Sequence, residues 1–212
     1  MKKYNIFALL MLLIAPLCFM ACSENEDTVE EFPDWKNRNE AYFDNIYEKA
    51  MGIEDGSWKI IRNYSLEDTI PAGYADHIVV EVLEEGTGSG CPMFTDSVLV
   101  HYRGRLLPST SYSEGYVFDE SYEGEFNLHT ALPRQLYVGG LIDGFTTALQ
   151  YMHIGDRWRV YIPYQLGYGS TGSTGIPAYS TLVFPRGLLS SGSYARPVVC
   201  QERQVDNRIT LT

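Results

Sequence analysis

Residues 97–107, SVLVHYRGRLL, alternate strictly. Val98, Val100, Tyr102, Gly104 and Leu106 fall on one side of an extended chain, and Leu99, His101, Arg103 and Arg105 on the other. A period of two with one apolar and one polar row marks a strand with a buried and a wet face, the habit of antiparallel sheets. His77–Leu83, HIVVEVL, reads as an earlier strand ended by EEGTGSG, and "VFD" at 117–119 as a short one. Arg157–Ile162 alternates again, with Trp158, Val160 and Ile162 on one face, and "STLVF" closes the series. One helix falls among them: Phe145, Ala148, Leu149 and Met152 recur at three- and four-residue spacing in GFTTALQYM, with Gly155 just beyond. One helix cannot serve as crossover for many parallel strands. The expected fold is therefore α+β: an antiparallel sheet curled around that short amphipathic helix, whose stripe meets the row of Val98, Val100, Trp158 and Val160.

The ends of the chain read differently. Lys2 and Lys3 precede an apolar run from Ile6 to Met20 that is short for a membrane span and placed like a secretory signal. Ala21 and Cys22 follow, then SENED, which resembles the cleavage box of bacterial lipoproteins, with Cys22 as the lipidated first residue of the mature chain. Residues 23–33 are acidic and lack the apolar content to fold, so they are expected to be a tether. Asp34 to Met51 is expected to form a helix, with Pro33 before it, Gly52 after it and a stripe of Tyr42, Phe43, Ile46, Tyr47 and Ala50. The expected division is a signal at 1–22, a tether at 23–33, a helical extension at 34–76, a main domain at 77–184 and an atypical tail at 185–212.

Charge and ligand-type residues exclude several functions. The 212-residue chain carries a net charge of −11. Removing Lys2 and Lys3 with the signal leaves 14 basic against 27 acidic residues, a net charge of −13. No basic patch offers itself to nucleic acid, and anionic headgroups would repel the chain, so attachment to a lipid bilayer would come through acylated Cys22. His77, His101, His129 and His153 lack metal-ligand spacing, and the glycines of GYGSTGSTG lack the lysine of a phosphate loop. Cys91 and Cys200 are left as free thiols or a dispensable bridge.

Five stretches carry a resemblance: EEGTG, DSVLVHYRGRLL, VFDES, LIDGFTTALQYMHIGDRWRVYIPYQLGYG and IPAYSTLVF. In this order they resemble the FKBP-type peptidyl-prolyl isomerases, over most of residues 77–184. The resemblance implies isomerisation of X-Pro bonds in proline-containing polypeptides, at an apolar pocket between sheet and helix, with no metal or cofactor. It places Tyr102, Phe118, Asp119, Ile142, Phe145, Tyr168, Ile176 and Phe184 in the catalytic pocket, Phe145 as its floor. Leu141 lies beside them and Leu136 forms a weaker wall. Gly169–Gly175 resembles the flexible flap at the groove, and the Tyr168 hydroxyl and Ile176 N–H are the expected donors to substrate carbonyls. As a lipoprotein form, the enzyme would sit in the cell envelope and act on exported proteins.

Taken singly, Tyr102, Phe145 and Phe184 fit a plain core, Asp119 a turn and Tyr168 an exposed loop; it is their order that selects the pocket. The chain departs from the family pattern at four places. Phe145 stands where Trp is commonest, and Arg134 and Leu136 stand where phenylalanines are usual. PSTSYSEGY lengthens the hairpin before Phe118. Pro185, which removes a ladder donor, implies a strand that stops early or an altered reading frame beyond Phe184. A module that holds proline segments without turnover, or one that binds carbohydrate, are the alternatives.

Overall fold

The computed structural model describes residues 30–67 and 69–190, with side chains to Pro185. The signal segment, Cys22, most of the acidic tether, Cys200 and the tail beyond Ser190 lie outside the described residues. The chain adopts the expected α+β fold. Its order is α1 (Trp35–Met51), β1 (Trp58–Arg62), β2 (His77–Glu84), β3 (Ser97–His101), β4 (Arg103–Arg105), β5 (Val117–Glu120), β6 (Arg134–Tyr137), α2 (Asp143–Tyr151), β7 (Arg157–Ile162) and β8 (Leu182–Ser190). One antiparallel sheet runs β1-β2-β7-β8-β3-β6, and β4 joins β8 to β5.

The alternating segments formed strands where expected, with four differences. The 97–107 strand breaks at Tyr102, whose N–H donates to Ser121 Oγ at 2.9 Å and whose carbonyl accepts from Ser121 N at 2.9 Å. The face expected to be wet is covered in its middle, while Leu99 stays exposed. His101 and Arg103 are both buried. The segment 120–126 lies over them: Glu120 pairs with Arg103 Nε at 2.5 Å, and Arg103 Nη2 donates to the carbonyls of Tyr122 (3.0 Å) and Gly124 (2.8 Å). Phe126 stands edge-on to the His101 ring at 5.2 Å. Burial lowers the pKa of His101. The third and fourth differences are β1 and β6, two short strands without a clear alternating signal.

Pro185 does not end its strand. β8 runs on to Ser190, because the proline sits in a bulge: Val160 opposes Phe184 and Trp158 opposes Leu188, so Arg159 alone faces residues 185–187. No ladder N–H is needed at that point. Arg159 Nε donates to the Pro185 carbonyl at 2.8 Å. Nor is Cys91 a free thiol: it is disulfide-bonded, while the expected position of Cys200 falls outside the described residues.

The extension shares the core of the main domain. Trp35, Asn39, Phe43, Tyr47 and Ala50 form the buried face of α1, and Tyr42 and Ile46 flank it half-buried. β1 pairs with β2 from Trp58↔Glu81 to Arg62↔His77. The turn after β1 covers α2, where Tyr64 N donates to Thr147 Oγ1 at 3.2 Å. From Glu31 onward the expected tether is docked: Phe32 packs edge-on to Trp35 at 4.8 Å. Asn39 is fully buried and joins α1 to the start of β8. Its Oδ1 accepts from Thr181 N at 2.7 Å, and its Nδ2 donates to Trp35 O at 2.7 Å. Trp35 Nε1 donates to Ser180 Oγ at 2.9 Å.

Asn39→Ala strands the buried Thr181 N–H, a loss of about 1–3 kcal/mol. Urea unfolding should show a clearly lower midpoint for this variant, whereas Glu48→Ala on the exposed face of α1 should stay within about 0.5 kcal/mol of the parent.

Candidate active site

Four rings meet where α2 crosses the sheet. Phe145 opens α2, Phe184 lies on β8, Tyr102 sits at the break between β3 and β4, and Phe118 lies on β5. Phe184 is 5.0 Å from Phe145, 6.0 Å from Phe118 and 6.3 Å from Tyr102, and Tyr102 is 5.6 Å from Phe145, all edge-on. Edge-to-face contacts bring positive ring edges to negative faces and add to the gain from burial. Gly104 makes the placement of Phe118 possible. A Cβ at that position would stand 2.3 Å from Phe118 Cζ, so any side chain would displace the ring.

Tyr102, Phe145, Ile176 and Phe184 are buried, while Phe118, Leu136, Leu141, Ile142 and Tyr168 are half-buried around them. The structure thus brings together four of the residues named from the sequence, Tyr102, Phe118, Phe145 and Phe184, and the remaining apolar ones belong to the same core or pack against it. The same side carries the polar edge. The Tyr102 hydroxyl donates to Asp119 Oδ2 at 2.7 Å and accepts from Arg134 Nη1 at 2.6 Å, and Arg134 Nη1 also reaches Asp119 Oδ1 at 2.8 Å. Burial, followed by the bond to Asp119, pushes the Tyr102 pKa up to about 12. Its bonds to Tyr102 and Asp119 raise the pKa of Arg134. Burial, then the Asp119 charge, raises that of Tyr168.

Arg134, which from sequence is only a gap in an aromatic wall, is a functional member of this edge. Its register explains it. Arg134 pairs with Val100 across β3 and Leu136 with Val98, so both lie on the row that also leads to Tyr102. The signal that locates it is the pairing of β6 with β3, which no pattern within RQLY displays.

One expectation about the loop, that of the Ile176 N–H, is changed by its hydrogen bonds. Gly169–Gly175 is knitted to itself and its flanks: Gly172 N donates to Tyr168 O at 3.1 Å, and Ser173 and Ile176 exchange backbone bonds of 2.9 Å each. Gly172 has φ 71°, and a Cβ there would lie 2.4 Å from the Ile176 carbonyl, so the turn requires glycine. The Ile176 N–H is therefore already paired within the loop, with the Ser173 carbonyl. The Tyr168 hydroxyl is left as the expected donor.

The chain is an antiparallel sheet wrapped on one helix, with four aromatic rings at the seam and a tyrosine–carboxylate edge. A sequence model of the family described as FKBP-type peptidyl-prolyl cis-trans isomerase matches residues 89–186. The chain is 33% identical over 191 residues to a macrophage infectivity potentiator of Trypanosoma cruzi, covering 90% of this chain and 86% of that protein. It is 40% identical to the FKBP-type 22 kDa peptidyl-prolyl cis-trans isomerase of Escherichia coli K12 over 51% of this chain and 47% of that one. The crystal structure of FkpA from Escherichia coli superposes with a TM-score of 0.50 at 25% identity, over 91% of this chain and 73% of that one. The chain belongs to the FKBP-type peptidyl-prolyl cis-trans isomerases.

Tyr102 loses its proton late, so the neutral form is favoured by folding. Its folded pKa of about 12 lies above the ordinary tyrosine value of about 10. The stability it contributes is complete below about pH 10 and is lost as pH rises through about 12. Tyr42 is likewise pushed up to about 12. Tyrosinate absorbance should therefore show one fewer late-titrating group in Tyr102→Phe than in the parent.

Proposed function

We propose that the four-ring site isomerises X-Pro bonds of exported polypeptides, and that the protein works in the cell envelope, anchored by lipid on Cys22. The observation that supports the site is the ring cluster itself: three buried aromatics and a half-buried fourth, with polar groups confined to one edge.

The chemistry needs little more. Rotation about a peptide bond crosses a barrier of roughly 18–20 kcal/mol because twisting breaks amide resonance. For X-Pro bonds the uncatalysed exchange takes tens to hundreds of seconds. No bond forms or breaks, so no nucleophile is required. The twisted amide carries less charge separation than the planar one. An apolar cage of Tyr102, Phe118, Phe145 and Phe184 grips the proline ring, excludes water and favours the less polar state. Ile142, Leu141 and Leu136 extend the apolar wall, and Ile176 closes it from the flap side. The Tyr168 hydroxyl holds a flanking carbonyl. Asp119, oriented by Tyr102 and partly neutralised by Arg134, faces the rotating amide from the edge.

The anchor rests on the sequence between Lys2 and Cys22. No helix among the described residues is long and apolar enough to cross a membrane. A two-chain lipid on Cys22 would be sufficient to hold the protein at a bilayer.

A protease-coupled proline-peptide assay should show turnover by the parent. Tyr168→Phe keeps the ring and deletes one hydroxyl, a loss of roughly 0.5–1.5 kcal/mol, so binding should weaken by at most about tenfold with the fold unchanged. Equal affinity of parent, Tyr168→Phe and Phe118→Ala for a proline ligand would place the groove elsewhere. For the anchor, Cys22→Ser should leave the protein soluble or uncleaved. Recovery of that variant in salt-washed membranes in processed form would refute lipidation.

A further inference from the structure

The hairpin insertion at 108–116 has no part in the site described above, yet it is fastened from three directions. The Glu31 carboxylate accepts from Ser109 Oγ at 2.5 Å, from Ser111 N at 3.0 Å and from Ser111 Oγ at 2.5 Å. Those bonds lower the pKa of Glu31. Arg38 of α1 donates to the Pro108 carbonyl at 2.8 Å. Arg105 of β4 donates to the carbonyls of Glu114 (2.9 Å) and Gly115 (3.1 Å). Loops held on a rigid scaffold are where binding residues concentrate.

The loop carries an aromatic pair. Tyr112 and Tyr116 stand edge-on at 5.1 Å. Tyr116 reaches the flap, where a Cβ at Gly175 would lie 3.7 Å from its ring, an ordinary contact. The residue after Gly175 is Ile176, and two residues beyond Tyr116 is Phe118, both members of the site. Tyr116 therefore stands at the flap base, against Gly175, one residue from Ile176 along the chain, and leads to Tyr112, which stays 44% exposed. Two rigidly held rings, one open to water, offer contact area at small cost in conformational entropy.

We propose that Tyr112 and Tyr116 form a second subsite that takes an aromatic side chain flanking the substrate proline, an inference that rests on the isomerase reading of the four-ring site. The occupant is argued from continuity with that site: a polypeptide whose proline lies among Phe118, Phe145 and Phe184 must leave past one rim, and this rim is aromatic. Glu31 is a positioning residue, since it touches the hairpin backbone and serines but neither ring.

The test uses peptides with a common Ala-Pro core and a single Phe or Ala at each of the two positions on either side. In the parent, Phe should raise kcat/KM over Ala by about three- to tenfold at one of these positions. Tyr112→Ser should bring that ratio below about twofold. Glu31→Ala should lower it as well, and Glu31→Gln, which keeps an acceptor for Ser109 and Ser111, should restore part of it. A ratio that is the same in the parent and in Tyr112→Ser overturns the subsite while leaving the isomerase reading intact. Absence of turnover by the parent on every peptide overturns the isomerase reading and the subsite with it.

Discussion

Phe184 is the side chain on which three other rings close, and its position depends on β8 being held on both edges. β7 pairs along one edge, and β3 and β4 share the other, through His101↔Leu189 and Arg105↔Val183. A strand gripped in this way has no freedom to slide, because a slip of one residue would turn Phe184 out of the core. The Pro185 bulge lets the chain change course immediately after Phe184 without leaving a donor unpaired. α2 then lands on the ring: a Cβ at Gly144 would lie 2.3 Å from Ile162, so the glycine allows the helix to approach the sheet closely enough for Phe145 to meet Phe184.

The site joins an apolar interior to one charged edge, and the two have different electrostatic needs. A carboxylate beside a buried tyrosine would resist burial if left alone. Arg134 answers that need from outside. It is about half-exposed, as is Asp119, so the ion pair is screened by water and adds little to stability. Its effect is geometric: one guanidinium nitrogen contacts both the hydroxyl and the carboxylate and fixes their relative orientation. An aromatic at position 134 would have enlarged the apolar wall but left Asp119 and Tyr102 to orient each other. The chain exchanged wall area for a defined edge.

Legibility from the sequence followed the strength of the periodic signal. β2 stands out as a continuous apolar run, β7 and α2 because their apolar residues recur at two or at three and four, and the ordered motifs carried the aromatic residues of the site. β6 could not be read from RQLY, since four residues at the sheet's margin are mostly exposed and have no core pattern to display. β1 was hidden in a segment read as helical, although Trp58, Ile60 and Ile61 are buried. His101 and Arg103 were assigned to water because their own strand alternates correctly. The cover comes from residues 120–126, and no local pattern tells a strand which later segment will fold over it. Pro185 misled for a related reason: a bulge is a property of two strands, and only one of them contains the proline.

The same non-local logic makes the N-terminal segment part of the working domain. In α1, Asn39 and Trp35 hold residues 181 and 180, one and two positions before the Leu182–Phe184 stretch. Glu31 and Arg38 hold the hairpin that begins after Leu107. Both contacts bracket the site, one at the entry to β8 and one beside the flap. Tyr179, between them, has φ 62°, a left-handed conformation that a tyrosine adopts only at a cost. Its ring is edge-on to Tyr164 at 5.1 Å, and Lys36 of α1 stands 5.0 Å from the ring centre. The turn that carries the chain from the flap into β8 is thus a strained one that α1 packs against. A helix that reads from sequence as an accessory is, in the fold, the brace that keeps Ile176 and Phe184 at their fixed separation.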